Sequence, residues 1–254
     1  AVRHNDFTVL REGLNIAGST RGDIDNNRFE NFSPRYDLRE HPDAIQFWNT
    51  NEATGVSHYR IRNNFLSFGN DGKVQGIFLR TESRTRPHHN LEISGNIYYG
   101  SSYHGISLDV VNDSNIFGNV VISSPWADIN NTSFVSPDGR QGGGMPPIIG
   151  LGTGTNVRAS RNVATGLLGG PAGSGSGFTD TIDVWESYWK RGEPITTVLA
   201  ARPMARNPAI AEFVTMTNTV AATRSIGILA PFRAGIVTLD PAAAQALAAA
   251  QPLP

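Results

Sequence analysis

The sequence lacks cysteine and carries almost no net charge. None of its 254 residues is Cys, and Lys and Arg nearly balance Asp and Glu, which gives a formal net charge of -1. A chain without Cys has no disulfide bonds, no thiolate metal ligands and no thiol nucleophile. Nucleic-acid binding depends on basic residues that neutralise phosphates, so this charge balance argues against a nucleic-acid partner.

Long hydrophobic runs are absent as well. No stretch reaches the roughly 18 consecutive apolar residues of a membrane-spanning helix, and we therefore expect no membrane insertion. The first six residues are too polar for the core of a signal peptide, although a removed leader would leave no trace. The length corresponds to one globular domain, or to one domain with a small appendage.

Asparagine and alanine divide the chain into two regions. Nearly all asparagines precede residue 165, whereas alanines are concentrated between residues 191 and 254. In the first region Ile is repeatedly followed, three positions later, by Asn and then by an apolar residue. The copies are Ile24/Asn27, Ile61/Asn64, Ile93/Asn96 and Ile116/Asn119, with Ala159/Asn162 as a weaker fifth.

A second repeated motif alternates with the first. It is a short run with apolar residues at every second position, as in a strand that buries one face. Its central residues are Ile45, Ile77, Ile106 and Ile149. A single pair of such strands cannot bury its apolar face, so we expect the copies to stack in parallel as an all-β solenoid.

The repeated Asn predicts a ladder of side-chain amides at one bend of each repeat. Each amide has donors and an acceptor for the backbone and for the Asn of the next repeat, about 4.8 Å away. Asn also tolerates the left-handed backbone conformation that such bends require. We expect Asn64, Asn96 and Asn119 to be stacked and buried.

These residues carry a family resemblance. The alternation of "HPDAIQFW", "QGIFL" and "HGISL" with "RNNFL", "SGNIYYG" and "FGNVVIS" resembles the right-handed parallel β-helix of polysaccharide lyases, uronan epimerases and phage tailspikes. It covers residues 12–170 and implies about four to five rungs. The Asp-Pro-His-Glu motif associated with alginate epimerases and the Gly/Asp nonapeptides of calcium-binding β-rolls are both missing. The resemblance therefore implies a fold, and a carbohydrate-active function only as a class.

The chain is expected to have three regions. We predict a parallel β-helix over residues 1–170, a Gly/Ser linker over 171–178, and a C-terminal Ala-rich segment over 179–254. Residues 179–189 have the spacing of an amphipathic helix, and short strands are expected between 226 and 239. The C-terminal segment is either a cap on the open end of the solenoid or an oligomerisation or docking segment.

The candidate functional surface comes from aligning the second motif on its central Ile residues. With these Ile residues inward, the neighbouring positions face outward on successive rungs. They are Gln46/Phe78/Ser107 and Trp48/Arg80/Asp109, with Asp43/Gln75/His104 at the bend before each strand. Long insertions around residues 32–42 and 123–146 border this surface and bring His41 and Trp126 towards it.

An exposed Trp beside Arg and Asp suits an acidic polysaccharide. The Trp48 ring can stack on a sugar, and the Arg80 guanidinium can pair with a carboxylate. Gln46, Asp109, His41 and Trp126 complete the expected binding set. The resemblance implies lyase- or epimerase-like chemistry, in which Arg80 neutralises the uronate carboxylate, His104 or Lys73 removes the C5 proton, and Tyr103 is the acid.

Simpler interpretations accompany this hypothesis. Arg80 and Asp109 have the spacing of a surface ion pair between adjacent rungs, which stabilises a fold little. His88 and His89 follow a basic turn and are expected in a solvated loop. Asp109, Asn112 and Asp113 offer oxygens for calcium, yet their spacing matches no known calcium loop. No cofactor is therefore predicted, and calcium stays unassigned.

Two functions from different classes follow. The first is a carbohydrate-active lyase or epimerase that acts on an acidic polysaccharide. The second is a non-catalytic adhesin or structural part, such as a tailspike or tail-fibre component that binds surface glycan. Both imply an extracellular, cell-surface or virion location. The apparent absence of an N-terminal cap favours the second, because an open solenoid end needs cover from another copy or an assembly partner.

Overall fold

The computed structural model describes residues 1–34, 41–68, 74–124, 148–185, 193–201, 203–205, 207–217 and 219–230. Within these ranges the protein is an all-β structure with three parallel sheets. The helical elements of these ranges are two short 3-10 helices, Ile195–Thr197 and Ile210–Phe213, and the helix α1, Val220–Thr223. None of the helices in these ranges is long and apolar enough to cross a membrane.

The strands are short and regularly spaced along the chain. In chain order they are β1 (Val2–Arg3), β2 (Asp6–Thr8), β3 (Leu14–Ala17), β4 (Thr20–Asp25), β5 (Arg28–Glu30), β6 (Asp43–Trp48), β7 (Ser57–Arg62), β8 (Phe65–Ser67), β9 (Gln75–Arg80), β10 (His88–His89), β11 (Glu92–Ser94), β12 (Ile97–Gly100), β13 (His104–Asp109), β14 (Val111–Asn112), β15 (Ser114–Phe117), β16 (Val120–Ser123), β17 (Ile148–Leu151), β18 (Val157–Ser160), β19 (Val163–Ala164), β20 (Leu167–Leu168), β21 (Gly177–Thr179), β22 (Ile182–Trp185) and β23 (Glu193–Pro194).

Successive strands join the three sheets in a fixed cyclic order. Sheet A has the strand order β1-β4-β7-β11-β15-β18-β21, with β10 and β14 beside this path; sheet B has β2-β5-β8-β12-β16-β19-β22-β23, and sheet C has β20-β17-β13-β9-β6-β3. One passage of the chain through A, B and C is called a rung below. The parallel repeat expected from the two motifs is confirmed at this level.

The central Ile residues stack inside the molecule, as predicted. Ile45 pairs in register with Ile77, Ile77 with Ile106, and Ile106 with Ile149, all in sheet C. Each is at most 1% exposed. The Ile residues of the other motif form an equivalent column in sheet A, and both columns belong to one continuous core.

The asparagine ladder is confirmed, and it explains the Ile-x-x-Asn spacing. Asn96 Nδ2 donates to the carbonyl of Ile61 in the preceding rung (2.9 Å) and to Asn119 Oδ1 in the next (3.0 Å). Asn64 and Asn119 repeat this pattern, and all three are buried. The Ile of each copy thus supplies the backbone acceptor for the Asn of the following copy.

The ladder is one rung longer at the N-terminal end than the motif search predicts. Asn5 donates from its backbone and its side chain to Asn27 Oδ1, at 3.1 and 3.0 Å. Val2 holds the Ile position of this copy, a substitution that a search for Ile alone misses. The left-handed residue is not the ladder Asn but the one before it, for example Asn63 (φ 53°) or Gly95 (φ 63°).

The region after residue 170 differs from its expected form. Residues 182–185 form strand β22, which pairs in parallel with β19, so the expectation of an amphipathic helix over 179–189 is wrong. The free edge of β19 accepts a strand, and Ile182 and Val184 favour the extended state. Strand β21 likewise begins inside the expected Gly/Ser linker. The division of the chain into domains stays a prediction.

The segment after residue 193 packs against the outer face of sheet B. Sheet B carries apolar residues on both faces, and its outward Phe65, Ile97 and Tyr99 form a second core with this segment. The segment contributes Ile195, Val198, Leu199, Phe213, Ala221, Ile226 and Ile228. Tyr99 OH also donates to the carbonyls of Pro203 and Ala205. Residues 231–254, which include most of the stretch where short strands were expected, lie outside the described residues.

Candidate functional site

The outer face of sheet C brings the predicted site residues onto neighbouring strands. Gln46 pairs in register with Phe78, and Phe78 with Ser107. Two positions further along, Arg80 pairs with Asp109. Alternation with the buried Ile and Leu residues turns these side chains outward, as the sequence predicts. The expected columns are therefore present.

Trp48 and Arg80 occupy adjacent strand ends on this face. Trp48 follows Phe47 and Arg80 follows Leu79, and Phe47 and Leu79 are paired in register. Trp48 is partly exposed and Arg80 is exposed. Their side chains thus lie side by side on consecutive rungs, where strands are about 4.8 Å apart.

Asp109 does not neutralise Arg80. Its Oδ1 atom accepts hydrogen bonds from the backbone N–H and the hydroxyl of Thr153, at 3.2 and 2.6 Å. Arg80 has no ion-pair partner among the residues that the structure describes, so the simpler interpretation of an Arg80–Asp109 pair is wrong. The face therefore presents a guanidinium without a carboxylate from the described residues.

A polar cluster stands where the strands of sheet C begin. His41 Nδ1 lies 3.2 Å from Asp43 Oδ2, and His41 Nε2 lies 2.6 Å from the Gln75 amide of the next rung. The hydrogen bond to Asp43 raises the pKa of His41. Burial raises the pKa of Asp43, which is 2% exposed. An amide has both donor and acceptor atoms, so Gln75 suits either protonation state of His41.

His104 faces outward because of a bulge in its strand. Pairing runs from His104 to Ile148 and then from Ile106 to Ile149, so Gly105 has no opposite residue. An extra residue of this kind re-aims the side chain before it. His104 Nδ1 consequently lies 2.9 Å from Ser107 Oγ, on the outer face.

The surroundings of His104 favour its neutral form. Burial, together with the charges of His41 and Arg80, lowers the pKa of His104 to about 4. Burial raises the pKa of the neighbouring Tyr103, which therefore keeps its hydroxyl proton at neutral pH. Near pH 7 both side chains are uncharged hydrogen-bonding groups beside the Arg80 cation.

Not every predicted site residue belongs to this arrangement. The structure brings His41, Gln46, Trp48, Arg80, Tyr103, His104 and Asp109 to the outer face of sheet C. Lys73 and Trp126 lie outside the described residues. The sequence places Phe78 on this surface but we assigned it no role there, although an aromatic residue at an outward position of an alternating strand was the available signal.

His88 is a correction to the expected solvated loop. It is 0% exposed, in strand β10. Its Nδ1 atom accepts the backbone N–H of Val56, and Nε2 donates to the Arg80 carbonyl, at 2.9 and 3.1 Å. The sequence indicates only a basic turn, because the two hydrogen bonds of His88 depend on how this turn packs against other rungs.

Metal binding has no assembled site in the described part of the chain. There, no group of three or more His, Asp or Glu side chains is placed to hold an ion. The oxygens considered for calcium accept hydrogen bonds instead: Asn112 Oδ1 from Thr155, and Asp113 Oδ1 from Asn156. Calcium stays an unassigned prediction.

A second depression lies on the outer face of sheet A. This open cleft of about 480 Å³ is lined by both acidic and basic residues. Asp23 of this cleft pairs with Arg60, also in the lining, and with Arg3, each at 2.6 Å, and the Arg60 hydrogen bond lowers the pKa of Asp23. The lining holds three acidic residues and two arginines, so the cleft has no excess of basic residues for an acidic ligand.

Comparisons with known proteins supply no relative. No protein-family model matches the chain, and no curated protein or solved structure is similar enough to indicate one. Any functional conclusion therefore depends on the geometry of the site.

Proposed function

We propose that this protein binds an acidic polysaccharide along the outer face of sheet C. The observation that carries the proposal is the exposed Arg80 guanidinium, without an ion-pair partner among the described residues, on the rung next to a partly exposed Trp48. A guanidinium matches a carboxylate as a planar fork, and an indole ring supplies a flat apolar surface for a sugar. Together they match a polymer of acidic sugars.

Neighbouring groups support the same ligand class. Tyr103 and His104 supply uncharged hydrogen-bonding atoms for sugar hydroxyls. His41, whose pKa is raised by the hydrogen bond to Asp43, adds a positive charge when it is protonated. Gln46 and Asp109 border this surface with further polar atoms. A carboxylate on the ligand thus has the Arg80 guanidinium within reach, and its hydroxyls have several partners.

The catalytic form of the proposal is a lyase or an epimerase. In it Arg80 neutralises the carboxylate, Tyr103 gives up its proton as the acid, and His104 or Lys73 is the base. Burial raises the pKa of Tyr103, so its hydroxyl carries the proton that an acid needs but gives it up less readily. A histidine with a pKa of about 4 is neutral but weakly basic, and this favours the second candidate, a non-catalytic glycan binder such as an adhesin or tailspike part.

Calorimetry with a panel of uronate oligosaccharides tests the binding proposal. The wild type should bind at least one member. Arg80→Ala should weaken that binding most at low salt, because charge attraction is screened by ions, whereas the loss from Trp48→Ala should depend little on salt. Arg158→Ala, an exposed arginine of sheet A, is the matched control and should bind as the wild type. No binding to the wild type would contradict the proposal.

Mass spectrometry separates the catalytic from the non-catalytic form. The oligosaccharides that bind are incubated with the protein and examined for unsaturated ends or an altered epimer ratio. Either product establishes the enzyme. Binding without product over long incubation establishes the non-catalytic candidate.

The finer architecture is part of the same proposal. We propose that the three sheets coil as a right-handed parallel β-helix, with four to five rungs between residues 12 and 170. We also propose an extracellular, cell-surface or virion location, and a homo-oligomeric or other assembly partner at the solenoid ends. Phe7 and Leu14 on the first rung are half-buried whereas the equivalent Phe29 and Ile45 are fully buried, so this rung has apolar surface that a covering element could contact.

A further inference from the structure

Four rings form a continuous row on the outer face of sheet C. His41 lies 6.0 Å from Phe78, Phe78 lies 4.8 Å from His104, and His104 lies 5.1 Å from Tyr103, all measured between ring centroids. We name this row the ring platform. Its members come from the approach to β6, from β9 and from the start of β13, so it crosses three neighbouring strands.

The ring platform is not part of the hydrophobic core. Phe78, Tyr103 and His104 are partly exposed, and the His41 side chain is 61% exposed. Phe78 stands between the buried Ile77 and Leu79, so strand alternation turns its ring away from the interior. A core role therefore does not account for an aromatic residue at this position.

Three members of the row lie on or just before successive strands of sheet C. Strands of a parallel sheet lie about 4.8 Å apart, and the two steps that cross strands, from His41 to Phe78 and from Phe78 to His104, are 6.0 and 4.8 Å. The rings consequently follow the axis along which rungs stack, across the strands. A ligand that contacts several rings must extend along that axis.

Basic side chains lie beside the ring platform. The exposed Arg80 follows Phe78 by two positions on the same strand, and His41, which can pair with Asp43 when protonated, lies 6.0 Å from Phe78. A ligand lying over Phe78 therefore has the Arg80 cation and the titratable His41 beside it. This suits a sugar that offers an apolar ring face together with a carboxylate.

We infer that Phe78 is the central stacking residue of a glycan site, and that the polysaccharide runs across the strands with successive sugars on successive rungs. This inference rests on the proposed function and adds the orientation of the ligand and a residue that sequence reasoning did not assign.

Substitution of Phe78 tests the ring platform with the uronate oligosaccharide that the wild type binds. Phe78→Ala should weaken binding about tenfold, as expected when one aromatic contact is lost, and Phe78→Tyr should stay within about twofold of the wild type. Phe117→Ala, a partly exposed aromatic of sheet A, is the matched control and should leave affinity unchanged. If Phe78→Ala unfolds, Phe78→Leu removes the ring and keeps most of the volume.

Ligand length supplies a second readout. Affinity should rise from a disaccharide to a tetrasaccharide in the wild type, and this rise should shrink in the Phe78 variant. Wild-type affinity in Phe78→Ala and Phe78→Leu, together with a loss in Arg80→Ala, overturns the ring platform while the proposed function stands. Absence of any binding to the wild type overturns both.

Discussion

At the scale of single residues, His88 is fixed by two backbone groups. Val56 contributes its backbone N–H, which can only donate, and Arg80 contributes its backbone carbonyl, which can only accept. Nδ1 of His88 must therefore be unprotonated, and Nε2 must carry the proton. Protonation of Nδ1 would replace a hydrogen bond with a repulsive contact inside the molecule. Burial accordingly lowers the pKa of His88 in the folded protein.

This predicts a specific dependence of stability on pH. In the unfolded chain a histidine titrates near 6.5, whereas folded His88 resists protonation, so the unfolded state binds the proton first as pH falls. The His88 contribution is fully present above about pH 7 and declines below about 6.5. The free energy of unfolding, measured with denaturant from pH 7 to 5, should therefore fall more steeply in the wild type than in His88→Gln. Identical slopes would disprove the assignment.

At the scale of elements, the Asn ladder connects the bends between sheets A and B. Each inner Asn forms hydrogen bonds with the rung before it and with the rung after it. These bonds pair groups that would otherwise be unpaired at the strand ends. Asn96, for example, accepts from both nitrogens of Asn64 at 3.0 and 2.9 Å. Loss of one amide thus leaves groups on two rungs unpaired.

Replacement of Asn96 by Ala should lower the free energy of unfolding by about 1 to 3 kcal/mol, since the carbonyl of Ile61 and the donors of Asn64 stay buried. Asn5→Ala is the control. Asn5 lies at the exposed end of the ladder, and its loss should cost about 0.5 kcal/mol or less. Equal losses in chemical denaturation would show that burial of the ladder adds nothing.

Sequence reasoning succeeded where contacts repeat and failed where they do not. The Ile columns and the ladder follow from a period that is visible in the chain, because identical positions meet in parallel sheets. The burial of His88 and the grouping of His41 with Gln75 join residues separated by insertions of unequal length. Such contacts do not recur at a fixed spacing, so no repeat in the sequence indicates them. Strand β22 was missed for a related reason, since Ile182, Trp185 and Trp189 also have helical spacing and only the edge of β19 decides between the two states.

At the scale of the whole molecule, the segment after residue 193 makes sheet B an interior layer. Strands apolar on both faces are typical of sheets covered on both sides. Phe213 illustrates the fit: it is fully buried, with its ring 5.7 Å from Phe65 and 5.5 Å from Tyr99. This segment and the solenoid should therefore unfold together.

Phe213→Ala should destabilise the protein by about 3 to 5 kcal/mol, as for other large aromatic residues removed from a core. Met204, in the same segment but 57% exposed, gives the control, and Met204→Ala should change stability by less than about 0.5 kcal/mol. Thermal unfolding followed by circular dichroism measures both. A single transition shifted only by Phe213→Ala is expected; an unshifted transition would mean that the segment contributes nothing to the solenoid.

The ladder also bears on how such a protein can change in length. Every inner Asn offers the same acceptor to one neighbour and the same donors to the other, so a duplicated rung would find both of its partners already in place. Tandem duplication or deletion of whole rungs then requires no new kind of contact. Each added copy would extend the outer face of sheet C by about 4.8 Å. A change in the number of rungs, rather than substitution of residues, is the simplest way in which this protein could come to bind a longer polymer.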